Sequence, residues 1–169
     1  AMAGAPLAYT AYALATAWHE TAHTMQPVKE YGGPAYFTRM YDVRGNRPAL
    51  ARRMGNREPG DGIRYCGRGY VQLTWRSNYR TMGARLQLPL EANPDLAMQP
   101  DVAAAIMRVG MSEGTFTGKA FKHYLPSDRP ATKAQFTEAR RIINGTDKAA
   151  LIAGYALEFQ KALIKGGWA

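Results

Sequence analysis

Leu7, Ala11, Leu14, Ala15 and Trp18 fall on one helical face, and that face runs directly into His19 and Glu20. Apolar residues at spacings of three and four predict a helix over residues 7 to about 24. Most of its side chains are alanines, so its neighbours must approach the backbone closely. A helix this apolar has to be buried, and a chain of 169 residues is long enough to build one core around it. The stretch falls short of the ~18 apolar residues a membrane span requires. It also lacks the basic leading region of a secretory signal. Ala1-Met2-Ala3, ahead of it, reads as an added leader.

Pro27 ends this stretch, and an extended piece is expected from Val28 to Tyr31, closed by Gly32-Gly33. Pro34 to Tyr41 predicts a short helix with proline in its first turn. Residues 42–69 are rich in Gly and Pro, with one or two helical turns over Ala49 to Met54 and loop elsewhere. A long ordered loop of this kind points to function. Tyr70 to Trp75 alternates β-formers with polar residues and predicts a strand. Ser77 to Leu86 predicts a helix, and Val102, Ala105, Ile106 and Val109 mark another, with Asp101 at its capping position. After a loop over residues 114–131, Thr132 and Gln135 have capping-box spacing ahead of Phe136, Ala139 and Ile143. Asn144-Gly145 stops that helix. The last one begins at Thr146-Asp147, buries Ile152, Tyr155, Ala156, Phe159 and Leu163, and ends at Gly166-Gly167.

The formal charge of +9 favours an anionic partner: nucleic acid, anionic lipid or a bacterial wall polymer. Arg44, Arg47, Arg52, Arg53, Arg57, Arg64 and Arg68 form the densest basic stretch, which is either a solvated surface or a face for a polyanion. Cys66 is the single cysteine, so an internal disulfide is impossible.

Three constellations carry chemistry. His19-Glu20-Thr21-Ala22-His23 has the form H-E-x-x-H, which on a helix sets two imidazoles one turn apart to hold zinc, with the Glu activating a water. The longer zinc signature does not follow, because Gln26 and Lys29 occupy its Gly and His positions. The second reading takes Glu20 as a carboxylic acid near the end of an apolar helix. Desolvation there favours the protonated form that a glycosidase needs to protonate a leaving oxygen. A second carboxylate must then activate water, and Glu30 and Asp42 lie close downstream. A helix-end salt bridge is the plain structural alternative for Glu20. The third constellation is Gly67 to Tyr79, where a strand would expose Gln72 and Thr74 on one face to bond sugar hydroxyl and acetamido groups. Tyr65, Tyr70 and Trp75 are aromatic enough to stack on sugar rings. An edge strand with a polar outer face is the competing account.

His19-Glu20-Thr21, then Gly67-Arg68-Gly69-Tyr70-Val71-Gln72-Leu73-Thr74 with Asn78-Tyr79, then Ile142-Ile143-Asn144-Gly145 occur in this order. In that order they resemble family 19 glycoside hydrolases, which include chitinases and phage endolysins. The resemblance extends from about Tyr12 to Tyr155. Gly55-Asn56 and Pro59-Gly60-Asp61-Gly62 look like the bacterial and phage branch.

The resemblance implies a mainly α, lysozyme-like helical domain with a small β-hairpin region and a substrate cleft, occupying residues 1–169 as one catalytic domain. It implies inversion at the anomeric carbon with no metal and no cofactor. Glu20 matches the general acid. Thr74 falls where the family has a Ser or Thr that helps hold the attacking water. Gln72, Asn78 and Asn144 match polar residues lining the substrate cleft, and Tyr65 matches a frequent aromatic. Short bacterial members place the second carboxylate nine residues after the acid, which here is Lys29, one before Glu30. Plant members use a spacing of twenty-two, which lands on Asp42. Glu30 is the favoured base. The family also carries a helix or more ahead of the Glu-bearing one, so that element is either reduced here or trimmed away.

The expected activity is therefore that of an endolysin-like muramidase cutting β-1,4 bonds of peptidoglycan glycan strands. Such an enzyme would be a monomer without nucleic-acid binding or stable membrane insertion. It would be made in the cytoplasm of a host bacterium and would act in the periplasm or cell wall, as a phage lysis enzyme or a secreted antibacterial effector. A chitinase is the near alternative, opposed by the absence of disulfides and the short loops. A zinc metallopeptidase using His19, Glu20 and His23 is the alternative of another class, and a non-catalytic wall-binding module is a third.

Overall fold

In the computed structural model, which describes residues 4–168, the elements run α1 (Leu7–Glu20), β1 (Val28–Lys29), α2 (Pro34–Tyr41), α3 (Pro48–Arg53), α4 (Asp61–Arg64), β2 (Arg68–Gly69), α5 (Arg76–Leu86), α6 (Pro100–Glu113), α7 (Lys133–Ala139) and α8 (Ala149–Lys165). Short 3-10 turns cover Pro94–Met98, Phe121–His123 and Arg140–Ile142. The chain is mainly α. Ala1-Met2-Ala3, read above as a leader, lies outside the described residues. Among the described residues no helix is long and apolar enough to cross a membrane.

The chain forms two units whose boundary falls inside α6: residues up to Met25 with those from Met107 onward, and Gln26–Ile106. In the first unit α8 packs on both α1 and α7. Alanines at positions 8, 11, 15 and 17 of α1 are buried, so no long side chain holds its neighbours away. Tyr12 stacks on Phe136 with ring centroids 6.1 Å apart, and Tyr9 on Phe121 at 4.7 Å. Burying such a ring stabilises the fold by about 2–3 kcal/mol. Gln160, buried on α8, clamps Ala131 by accepting from its N–H at 2.8 Å and donating to its carbonyl at 3.0 Å. The capping box forms: Thr132 Oγ1 accepts from the Gln135 N–H, and Gln135 Oε1 accepts from the Thr132 N–H.

Helix α1 stops at Glu20. The cause is local. The Thr21 hydroxyl donates to the Ala17 carbonyl at 2.7 Å and accepts from the Met25 N–H at 3.0 Å, while Ala22 and His23 take positive φ.

In the second unit β1 and β2 pair antiparallel, Val28 with Gly69 and Lys29 with Arg68. The strand expected over Tyr70 to Trp75 is not there. Gly69, at φ +85°, reverses the chain, and Arg68 and Leu73 close the turn by bonding each other's backbone. A Cβ at Gly69 would stand 3.0 Å from the Ala97 carbonyl oxygen, so close packing as well as φ demands glycine. Arg68 is buried and anchors the turn. Its guanidinium donates to Asp95 Oδ1 at 2.8 Å, to the carbonyls of Arg64 and Cys66 at 3.0 Å each, and to the Tyr79 hydroxyl at 3.1 Å.

Residues 42–69, expected to be largely loop, hold α3 and α4 and are pinned from within. Buried Asn56 donates to the Tyr41 carbonyl at 2.9 Å and accepts from the Arg76 N–H at 3.0 Å. Asp61 accepts from the N–H groups of Arg57 and Glu58 at 2.7 and 3.1 Å.

Candidate active site

Glu20 is the last residue of α1, and its side chain is 20% exposed. Its Oε1 accepts a 2.8 Å hydrogen bond from Nη1 of Arg140, a side chain only 2% exposed. Of the two readings of Glu20, a desolvated acid on an apolar helix and a helix-end salt bridge, the structure shows the contact of the second. Arg140 also donates from Nε to the Asp147 carbonyl at 2.8 Å, so its fork is held at both ends. The Oε2 oxygen of Glu20 accepts no hydrogen bond among the described residues. Beside it, burial pulls the His19 imidazole below its ordinary pKa and so favours the neutral ring.

His23 does not stand one turn along the same helix as His19, because α1 has already ended. At φ +68° its ring stacks on Trp18 with centroids 4.7 Å apart, and its Nε2 lies 3.3 Å from the Tyr155 hydroxyl. No cluster of three or more His, Cys, Asp or Glu suited to a metal occurs among the described residues. The helical platform that the zinc motif needs is therefore missing.

In the second unit Glu30 follows β1 directly. Three donors hold its carboxylate: Tyr41 Oη at 2.7 Å and Tyr36 Oη at 3.3 Å on Oε1, and the Gly67 N–H at 3.1 Å on Oε2. Both carboxylate oxygens are therefore engaged. Burial, together with the hydrogen bond to Glu30, pushes the Tyr41 phenol up, so it stays a donor throughout the neutral range. Gly67 is required for this arrangement. A Cβ there would lie 2.7 Å from Gln72 Oε1 and 3.1 Å from Glu30 Oε2.

Asp42, the other carboxylate considered, is a structural residue. It is 1% exposed, and it accepts from the N–H groups of Gly60 at 2.7 Å, Arg44 at 3.0 Å and Gly62 at 3.3 Å. Burial alone would raise its pKa, but these hydrogen bonds outweigh burial and hold it below the usual carboxylate range. With its oxygens committed to backbone, it is not placed to activate water.

Gln72 does not project from a strand face. Its φ is +52°, and its amide donates to the carbonyls of Val28 at 3.0 Å and Gly69 at 3.2 Å, fastening the turn to β1. Thr74 Oγ1 donates to the Gln72 carbonyl at 2.8 Å, which leaves its lone pairs to accept from water. Asn78 donates to the Thr74 carbonyl at 2.8 Å. Asn78, Thr74 and Gln72 thus form one chain of contacts ending on Val28 and Gly69, while Gly67 bonds Glu30 directly.

Tyr65 cannot serve as a sugar platform. It is 1% exposed, its hydroxyl donates to the Glu91 carbonyl at 3.1 Å, and the guanidiniums of Arg64 and Arg76 each lie 5.6 Å from its ring centroid. Asn144 is exposed in the turn before α8 and belongs to the first unit. Three residues that bond the candidate carboxylates were not singled out from the sequence. Tyr36 and Tyr41 carry no sequence mark that separates them from core aromatics. Arg140 does carry one: it stands four residues after Phe136 on the apolar stripe, where a cation requires a partner.

Comparison with known proteins decides the architecture. Chitinase C from Streptomyces griseus HUT6037 superposes with a TM-score of 0.63 over 91% of this chain, at 25% sequence identity. The chain has the fold of the family 19 chitinases. A bacterial family 19 chitinase gives a TM-score of 0.62 over 91% of the chain at 24% identity, covering 72% of that protein. An acidic endochitinase of Populus trichocarpa is 51% identical over 35 residues, 21% of this chain and 10% of that enzyme. No family model matches. The chain spans 58% of the length of the Streptomyces griseus enzyme.

Proposed function

We propose that this protein is a glycoside hydrolase that cleaves β-1,4 bonds of bacterial peptidoglycan by an inverting acid/base mechanism. Glu20, once it has taken up a proton on its unengaged Oε2, gives that proton to the leaving-group oxygen. As that oxygen departs, the carboxylate left behind is stabilised by Arg140, already in contact at 2.8 Å. Glu30, its carboxylate oriented by three donors, takes a proton from the attacking water, and Thr74 helps to orient that water. Inverting enzymes keep their two carboxyl groups roughly 6.5–9.5 Å apart to admit the water.

The observation that carries this reading is the contrast between the two carboxylates. Glu30 has donors on both oxygens, whereas Glu20 keeps one oxygen unengaged. The family 19 fold supports the hydrolase class, and the charge of +9 supports an anionic wall as substrate. The enzyme would act in the periplasm or wall, as a lysis enzyme or an effector. Chitin is the second reading, favoured by the names of the similar proteins. Purified peptidoglycan and colloidal chitin, each incubated with the protein and analysed by mass spectrometry, separate the two. Soluble fragments with reducing muramic-acid ends support the proposal. Chitin oligomers with intact peptidoglycan overturn it.

A further inference from the structure

Arg64, Arg76 and Arg80 line one cavity of about 580 Å³ in the second unit, with Glu91 as its acidic member. Arg76 and Arg80 stand one turn apart on α5 and therefore share a face. Tyr65 lies beneath, with the guanidiniums of Arg64 and Arg76 over its ring. Leu88 and Pro89, on the segment returning after α5, supply an apolar wall.

The three cations are not equally engaged. Arg76 is spent on Glu91 at 2.9 Å and Asp61 at 3.3 Å. Arg64 uses Nη2 on the Ala92 carbonyl at 2.9 Å and makes no ion pair among the described residues. Arg80 is exposed and has no ion pair there either. Glu91 already answers Arg76, so the guanidiniums of Arg64 and Arg80 line the cavity without a carboxylate partner among the described residues. Guanidinium forks match carboxylates bidentately. A neutral sugar polymer has no charge to place against them.

We infer that this cavity binds the peptide stem of peptidoglycan, with Arg64 and Arg80 on its free carboxylates and the apolar wall against alanine methyl groups. The inference rests on the peptidoglycan reading, and it assigns a substrate feature that chitin lacks.

The test uses calorimetric titration of the full chain with soluble stem tetrapeptide at low salt, for wild type, Arg80→Glu and Arg80→Gln. It is paired with turnover on glycan strands carrying stems and on strands stripped of them by an amidase. Binding to wild type, weakened about tenfold or more by either variant, supports the assignment. So does a raised KM with unchanged kcat on stem-bearing strands alone. No binding to wild type, equal binding to all three proteins, or equal loss on stripped strands overturns it. Binding that the variants weaken, on a wild-type protein that cuts neither kind of strand, keeps the cavity assignment and overturns the hydrolase reading instead.

Discussion

Arg140 reaches Glu20 across 120 residues of sequence to form a 2.8 Å contact that fixes one carboxylate oxygen and leaves the other unengaged. Replacing Arg140 by Met keeps the bulk but strands Glu20 and the Asp147 carbonyl. Removing one partner of a buried pair costs about 3–5 kcal/mol. With Glu20 one-fifth exposed, the loss should lie near 3 kcal/mol, read from urea unfolding, and turnover should fall with it. A variant as stable and as active as wild type would remove Arg140 from the account.

Glu30 and Asp42 should respond differently to neutralisation. Glu30→Gln should abolish most turnover while leaving the melting temperature within a few degrees. Asp42→Asn should do the reverse, costing about 1–3 kcal/mol as backbone donors lose their anionic acceptor. The pH dependence follows from the depressed pKa of Asp42. Its stabilisation is complete above the ordinary carboxylate range and is lost as pH falls through the depressed value. The stability gap between wild type and Asp42→Asn should therefore close in acid. A gap that widened there would reverse this assignment.

Gly67→Ala tests whether the glycine exists to admit Glu30. The added methyl meets Gln72 Oε1 at 2.7 Å and Glu30 Oε2 at 3.1 Å, so one of those side chains must move. Strain of about 1–3 kcal/mol is expected, together with a drop in kcat larger than any change in KM. Unchanged kinetics would show that Glu30 does not depend on this contact.

Helix periodicity made most of the fold legible. The α2 span was read to the residue, and the Thr132–Gln135 box forms as its spacing requires. Tyr70 to Trp75 misled because alternation of β-formers cannot register that Gly69 turns the chain and Gln72 sits at positive φ. In the candidate site, Glu20 and Glu30 stood out by chemistry, and Asp42 was separated from Glu30 only by its backbone partners. Tyr65 looked like a sugar platform because sequence does not report burial. The Arg140 contact, like the tyrosines on Glu30, is made by tertiary structure.

Thr74→Ala should lower kcat about ten- to a hundredfold with a smaller change in substrate affinity, because an oriented water matters in the transition state. Thr74→Ser keeps the hydroxyl that donates to the Gln72 carbonyl and should recover most of the rate. Loss of affinity without loss of kcat would make Thr74 a binding residue.

The most direct measurement is digestion of purified peptidoglycan by Glu20→Gln beside wild type, with products followed by mass spectrometry and wall binding by co-sedimentation. Wild type should release fragments with new reducing muramic-acid ends. The variant, which keeps an amide oxygen for Arg140, should stay folded and sediment with the wall yet release nothing. Fragment release at the wild-type rate by the folded variant would contradict the assignment of Glu20 as proton donor.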